Sequence, residues 1–394
     1  MRNGRRRTAV GVVGVGQTRY GRRDEVSTPD LVFEAVTAAL AHARLDRAEI
    51  GAVFFASAPD ALIGVNEPDQ WCAGAAGAVG KPYLRISTGG STGSSAAIAA
   101  YYAVASGRCE VALAVAVERA NESRAVQLLM NTNFDPIYER EFAINAISCY
   151  ALATADHMVR YGTTEEQLAK ISVRNHRNAL RNPYAHLKLD ITVDDVLRSR
   201  MLCWPVKLLD TCPRSDGACA IVIASGARAR DLRPKPAWVQ GLQSFSDGYF
   251  LGDREILSYR DHLALAAQEA YRQADVIDPL KEIDVAELQN PFTISEAMAV
   301  EALGFCEVGG AGAFVDAGLP EMAGELPINP SGGVLSSNPV GATSLVRVAE
   351  AALQVMGEAD ARQVRGVRRA LAQCSGGAIQ FGTVVILGDE PIGG

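Results

Sequence analysis

Asn329-Pro330-Ser331-Gly332-Gly333-Val334-Leu335-Ser336-Ser337-Asn338-Pro339-Val340-Gly341-Ala342-Thr343 is the segment on which the reading of this chain turns. Prolines, glycines, serines and asparagines in such density punctuate regular structure. The segment leads into 343–355, whose small and aliphatic residues recur at helical spacing. Working outward, apolar runs predict strands near 237–244, 285–288, 367–373 and 379–387, with a helix at 263–274. Pro234 and Pro236 mark a boundary before them. The first half shows the same rhythm, with strands at 10–16, 52–55, 111–117 and 218–224 and a helix at 29–43. Short apolar strands alternating with helices predict an α/β fold with a mainly parallel sheet covered on both faces. Two similar halves suggest an internal duplication. The texture changes between 119 and 205, where Asn, Arg, His, Tyr and Met become frequent and the helices look amphipathic. The domains are therefore 1–118 plus 206–232, an inserted helical loop domain at 119–205, and 233–394.

Composition narrows the function classes. The 394 residues are 48% hydrophobic and 21% charged, the profile of a soluble globular chain. Lys plus Arg numbers 38 against 45 Asp plus Glu, a net charge of −7. That balance excludes nucleic acid as the main partner, because such binding rests on a basic face. The eight cysteines contain no C-x-x-C pair and the histidines no metal-ligand spacing; neither a disulfide framework nor a metal site is expected. The run 86–107 is uncharged and long enough to cross a bilayer. Its start, Ser87-Thr88-Gly89-Gly90-Ser91-Thr92-Gly93, is too polar for lipid and predicts a turn feeding a helix buried on every side. No membrane association is expected. The basic N-terminus lacks an apolar signal region, and the expected location is the cytoplasm.

No P-loop, HExxH or EF-hand pattern occurs, and Val12-Val13-Gly14-Val15-Gly16-Gln17 lacks the third glycine of a dinucleotide fingerprint. No cofactor is expected. Four turn-rich segments follow predicted strands, at the edge of an α/β sheet where ligands bind: 87–93, 287–292 (Glu-Leu-Gln-Asn-Pro-Phe), 329–343 and 373–378 (Gln-Cys-Ser-Gly-Gly-Ala). In this order and spacing they resemble the four active-site loops of the thiolase superfamily, in particular its sterol-carrier-protein branch. The resemblance extends over the chain, including Asn182-Pro183-Tyr184, the run 208–217 and Glu301-Ala302-Leu303-Gly304-Phe305-Cys306. It implies two duplicated halves in a five-layer α-β-α-β-α arrangement, a homodimer and a coenzyme A thioester as substrate.

The resemblance also locates the chemistry. Thiolases carry a nucleophilic cysteine at the N-terminus of the helix after the first loop, where the helix dipole favours a thiolate. Here that position is Gly90, with Ser91 beside it. The residue opening the second motif is Gln289, followed by Asn290. Asn338 stands where a Gly-His-Pro motif has its histidine, and Gly333 lies in the same loop. The Cys-x-Gly-Gly cysteine is kept as Cys374, with Gly376 behind it. Gln289 and Asn338 offer N–H donors but no titratable proton, which suits stabilisation of a thioester enolate. Cys374 is the expected acid/base, its pKa lowered by successive N–H groups of the turn. Arg124, Arg140, Arg177 and Lys188 are candidate contacts for coenzyme A phosphates.

Three functions follow: retro-aldol cleavage of a β-hydroxyacyl-CoA, acyl transfer by a degenerate thiolase, or non-catalytic binding of acyl-CoA or lipid. Thiolase-like aldolases of steroid side-chain degradation resemble the chain in having glycine at the nucleophile position. They carry tyrosines where this chain has Gln289 and Asn338. They work with a zinc-ribbon/OB-fold subunit, and a similar accessory partner is expected here.

Overall fold

The computed structural model describes residues 8–139, 144–377 and 379–392. Eleven strands run β1 (Val10–Gln17), β2 (Ala52–Ala56), β3 (Tyr83–Ile86), β4 (Val111–Arg119), β5 (Met201–Cys203), β6 (Val206–Lys207), β7 (Asp216–Ser225), β8 (Ala237–Ser246), β9 (Val285–Leu288), β10 (Arg369–Gly376) and β11 (Phe381–Gly388). Nine form one sheet in the order β3-β2-β4-β7-β1-β8-β11-β10-β9, and β5 pairs with β6. The sheet is mixed, which corrects the mainly parallel expectation. Only β3-β2-β4 and β9-β10 are parallel; the other contacts are antiparallel. Only four residues separate β10 from β11, which explains one of these, since so short a connection returns a strand antiparallel to the one before it. β3 was not anticipated: Tyr83-Leu84-Arg85-Ile86 is too short and too mixed to signal a strand without its neighbour β2.

The duplication is visible in the order of strands. β1, β2, β4 and β7 correspond to β8, β9, β10 and β11. An isolated parallel bridge between Ala286 and Ile328 stands where β2 pairs with β3 in the first half. Outer helices Thr28–Ala43 and Asp261–Ala274 pack on equivalent strands. Glycine makes both approaches close: a Cβ at Gly16 would lie 2.1 Å from the Ala35 carbonyl oxygen, and one at Gly241 2.2 Å from that of Ala270. The halves meet through Gly11–Trp238 and Val12–Ala237 pairing.

Between the halves, the inner helices Thr92–Ala105 and Val340–Met356 cross where Gly93 meets Leu345. They share an apolar core with β1, β4, β7, β10 and β11. Every residue from Gly341 to Met356 is buried. The first inner helix departs from the expectation of burial on every side: Tyr102 is 53% exposed and Tyr101 partly so, with no described residue covering that face. Among the described residues no helix is long and apolar enough to cross a membrane. Helices Ala146–Tyr161, Glu165–Ala179 and Val193–Arg198 lie between β4 and β7.

Candidate active site

Gly90 sits in the 3-10 turn Gly89–Ser91 that opens the first inner helix. The turn is held from within: Thr92 Oγ1 donates to the Gly89 carbonyl (2.6 Å) and accepts from Thr88 N (2.8 Å). A Cβ at Gly90 would lie 2.6 Å from the Ser375 carbonyl oxygen and 2.8 Å from Gln289 Nε2. Real Cβ atoms do not approach backbone oxygen so closely, so this turn has no room for any side chain at that position. The space is occupied from outside the turn.

Gln289 does much of the occupying. Its Nε2 donates to the Gly90 carbonyl (3.3 Å) and its Oε1 accepts from Ser375 N (3.2 Å). Its backbone N–H bonds to the carbonyl of Gln373 (3.0 Å), continuing the β9–β10 register beyond the strand end. Ser375 Oγ accepts from Gln373 Nε2 (2.9 Å) and from Arg260 Nη1 (3.0 Å). Arg260 stands beside Tyr150 of the inserted segment, whose ring stacks on Phe292 with centroids 4.2 Å apart. Burial pushes the Tyr150 phenol above its ordinary range, against the opposing pull of Arg260. Sequence reasoning missed both residues. Arg260 lies outside all four loops and Tyr150 lies in the insertion, so only the tertiary fold brings them in.

Asn338 belongs to a neighbouring cluster. Thr343 Oγ1 donates to its Oδ1 (2.8 Å), which turns the amide nitrogen onto Cys212 Sγ at 3.0 Å. Cys212 N donates to the Pro291 carbonyl (2.9 Å), so Asn338 is tied to the 289–292 loop through Cys212, whereas Gln289 touches Gly90 directly. Cys212 is also an electrostatic neighbour of Tyr150. Burial pushes the Cys212 thiol up to about 12, against the Asn338 hydrogen bond.

The remaining expected site residues separate by role. Cys374 lies within β10, so its side chain faces away from those of Gln373 and Ser375. It is 1% exposed, its sulfur donates to the Ser344 carbonyl (3.4 Å), and burial pushes it up to about 12. This reverses the expected lowering: the cysteine belongs to a strand packed on the second inner helix, not to a turn of free N–H groups. Ser91 is fully buried and donates to the Thr88 carbonyl (2.8 Å). Gly376 packs on that turn, where a Cβ would lie 2.2 Å from the Thr88 carbonyl oxygen. Asn290 is held within the scaffold of the site. It is 0% exposed; its Nδ2 donates to Asn175 (3.0 Å) and Glu296 (2.8 Å), and its Oδ1 accepts from Val334 N (2.8 Å). Gly333, at φ 62°, serves the same scaffold, since a Cβ would lie 2.5 Å from both Asn175 Oδ1 and Asn290 Oδ1. Among the basic candidates, Arg124 and Lys188 are exposed, Arg177 is paired with Glu321, and Arg140 lies outside the described residues. Among the described residues no group of His, Cys, Asp and Glu has a metal-binding arrangement.

The arrangement can be set against known proteins. Residues 10–227 match the thiolase N-terminal domain and residues 247–389 the thiolase C-terminal domain-like family. The chain belongs to the thiolase family. It is 34% identical over 370 residues to an acetyl-CoA acetyltransferase of Methanothermobacter thermautotrophicus, covering 93% of this chain and 96% of that protein. Sterol carrier protein 2 of Gallus gallus is 33% identical, with 92% of this chain and 68% of that protein covered. A solved structure titled Ltp2-ChsH2(DUF35) aldolase superposes with a TM-score of 0.83 at 26% identity, over 97% of this chain and 98% of that one. The fold is the mixed α/β thiolase fold, and the relatives support its sterol-carrier-protein branch. At the position that the resemblance assigns to the nucleophile, this chain has the closed, side-chain-free turn of Gly90.

Proposed function

We propose that this thiolase-family chain is a carbon–carbon lyase that cleaves a β-hydroxyacyl-CoA by a retro-aldol step, with no covalent acyl-enzyme. The observation that carries the reading is Gly90: there is no side chain to acylate, and the Ser375 carbonyl and the Gln289 amide leave no space for one. Retro-aldol cleavage needs no nucleophile. The β-hydroxyl passes its proton to solvent water, which later reprotonates the acid that serves Cα, and its O–H electron pair becomes the new C=O. The Cα–Cβ bond breaks, its electrons pass into the thioester as an enolate, and Cα is then protonated. Gln289 Nε2, which has a second N–H beyond the one given to Gly90, is the donor we assign to the enolate oxygen; such preorganised donors contribute about 3–4 kcal/mol to a transition state. Cys212, kept protonated by burial and oriented by Asn338, is our candidate to return the proton to Cα, in place of Cys374. The coenzyme A thioester is the substrate and no further cofactor is invoked.

Acyl transfer is the second reading, favoured by the acetyl-CoA acetyltransferase relative. It would need an acylated thiol, and Cys374 and Cys212 are both pushed up to about 12. The aldolase structural relative is named for two components, which supports an accessory subunit for this chain as well, the zinc-ribbon/OB-fold partner that the resemblance implies. We also propose a homodimer, supported by the free edge of β3, where Leu84 is 58% exposed, and by the uncovered Tyr102. Incubation with a β-hydroxyacyl-CoA and analysis of products tests the function. An aldehyde or ketone appearing in step with the shortened acyl-CoA is expected. Acyl exchange onto free coenzyme A without carbonyl release would replace the lyase by the transferase.

A further inference from the structure

Among the described residues, Arg260 is a buried cation that no carboxylate pairs. It is 1% exposed, yet its polar neighbours are the neutral Ser375 Oγ, to which Nη1 donates, and the Tyr150 phenol, while Nε and Nη2 are buried without a close partner. Its strongest electrostatic neighbours are Tyr150, Arg254 and Cys149, with no carboxylate among them. Of the described acids nearby, Asp247 faces Arg254 (3.4 Å) and the His262 ring (3.5 Å), and Glu139 accepts from the backbone N–H of Leu251 and Asp135. The second cation, Arg254, worsens the balance. A buried guanidinium lacking an anionic partner is costly, and proteins retain such groups where a ligand supplies the counter-charge.

Position states which part of a ligand this is. Gly90 contacts Gln289, Gln289 contacts Ser375, and Ser375 contacts Arg260. The guanidinium therefore lies two residues beyond the reacting centre, too remote for the thioester oxygen that Gln289 would bind. A planar group with two free N–H donors on adjacent nitrogens matches a carboxylate in shape as well as charge. We propose that Arg260 is a subsite for a carboxylate carried on the acyl group, so that the preferred substrates are thioesters of dicarboxylic acids. Tyr150, beside the guanidinium and partly open, is a second donor to the same group. This inference rests on the reading of the Gly90 pocket as an acyl-CoA site.

Binding, not turnover, tests it. The intact protein would be titrated with malonyl-, succinyl- and glutaryl-CoA and with propionyl-, butyryl- and valeryl-CoA, by calorimetry. At least one dicarboxylic thioester is expected to bind about ten-fold or more tightly than its uncharged counterpart, the scale of one charge-assisted hydrogen bond. Arg260→Gln is expected to abolish that preference while leaving the uncharged thioesters' affinity within about two-fold, a change near the noise of such comparisons. Thermal unfolding of Arg260→Met guards against misfolding: a raised Tm is expected on removing an uncompensated charge, and a fall would make Arg260 structural and overturn the proposal. Equal affinity across both series overturns the carboxylate subsite alone. Failure of every thioester to bind overturns the acyl-CoA reading as well, whereas a dicarboxylate preference without cleavage of hydroxyacyl thioesters defeats only the lyase assignment.

Discussion

Gln289 and Asn290 are adjacent in one loop and belong to opposite kinds of polar interior. Asn290 joins Asn175, Asn329, Glu296 and Arg174 in a closed cluster. Glu296 accepts from Arg174, Asn175 (3.0 Å), Asn290 (2.8 Å) and Asn329 (3.4 Å), and Asn329 Oδ1 accepts from Leu288 N (2.6 Å). Gln289 joins Ser375, Gln373 and Arg260, where two guanidinium nitrogens lack a partner and no described carboxylate faces the charge; in the Asn290 cluster only Arg174 Nε is unpartnered, and Glu296 faces the guanidinium. A charge-compensated polar network rigidifies a fold; an uncompensated one marks where a fold has been left incomplete for a ligand. The difference between the neighbours separates the scaffold that holds four loops together from the pocket those loops enclose.

Breaking the closed cluster should have the largest effect. Glu296→Gln removes the carboxylate opposite Arg174 and presents an amide donor to asparagine donors. We expect a loss of about 3–5 kcal/mol in urea unfolding; a loss below about 1 kcal/mol, the scale of an ordinary surface contact, would show that the cluster does not carry the scaffold. The pocket side should respond less. Gly90→Ala is expected to cost about 1–3 kcal/mol through overpacking, and Gln289→Ala should relieve part of that cost by removing Nε2 from the clash. Penalties that add within about 0.5 kcal/mol in the double-mutant cycle would disprove the contact.

The smallest effect is a slope. Glu118 is fully buried, and burial pushes it up to about 7 although it accepts from the backbone of Ala58, Arg119 and Gly341. Its folded pKa lies above its unfolded one, so the native state binds the proton more tightly. Stability therefore falls as pH rises from the ordinary glutamate range to about 7, and is level with respect to this group above it. Glu118→Gln is expected to flatten Tm against pH in that window. The flattening is partial, because Glu287 is also pushed up to about 7. An unchanged slope would contradict the assignment.

The fold was largely legible because it is carried by periodicity. The strand 285–288 reads as it stands, and the helices over 29–43, 263–274 and 343–355 each end within three residues of their observed ends. β3 escaped because a four-residue edge strand owes its form to pairing rather than propensity. In the site, the 87–93 and 287–292 segments brought out Gly90 and Gln289, which the fold brings into contact. The direction in which residues point was not legible. Cys374 and Ser375 differ by one step along a strand and face opposite sides of the sheet, and Gln289 and Asn290 diverge in the same way. Arg260 and Tyr150 carry no motif, and tertiary structure alone brings them to Ser375.

The central claim is that chemistry at this site proceeds without an acylated residue. Intact-protein mass spectrometry during a single turnover of a β-hydroxyacyl-CoA addresses it most directly. The account predicts release of the carbonyl product while the chain keeps its unmodified mass at every time point. A transient mass increase equal to the acyl group, mapped to any cysteine or serine, would contradict it.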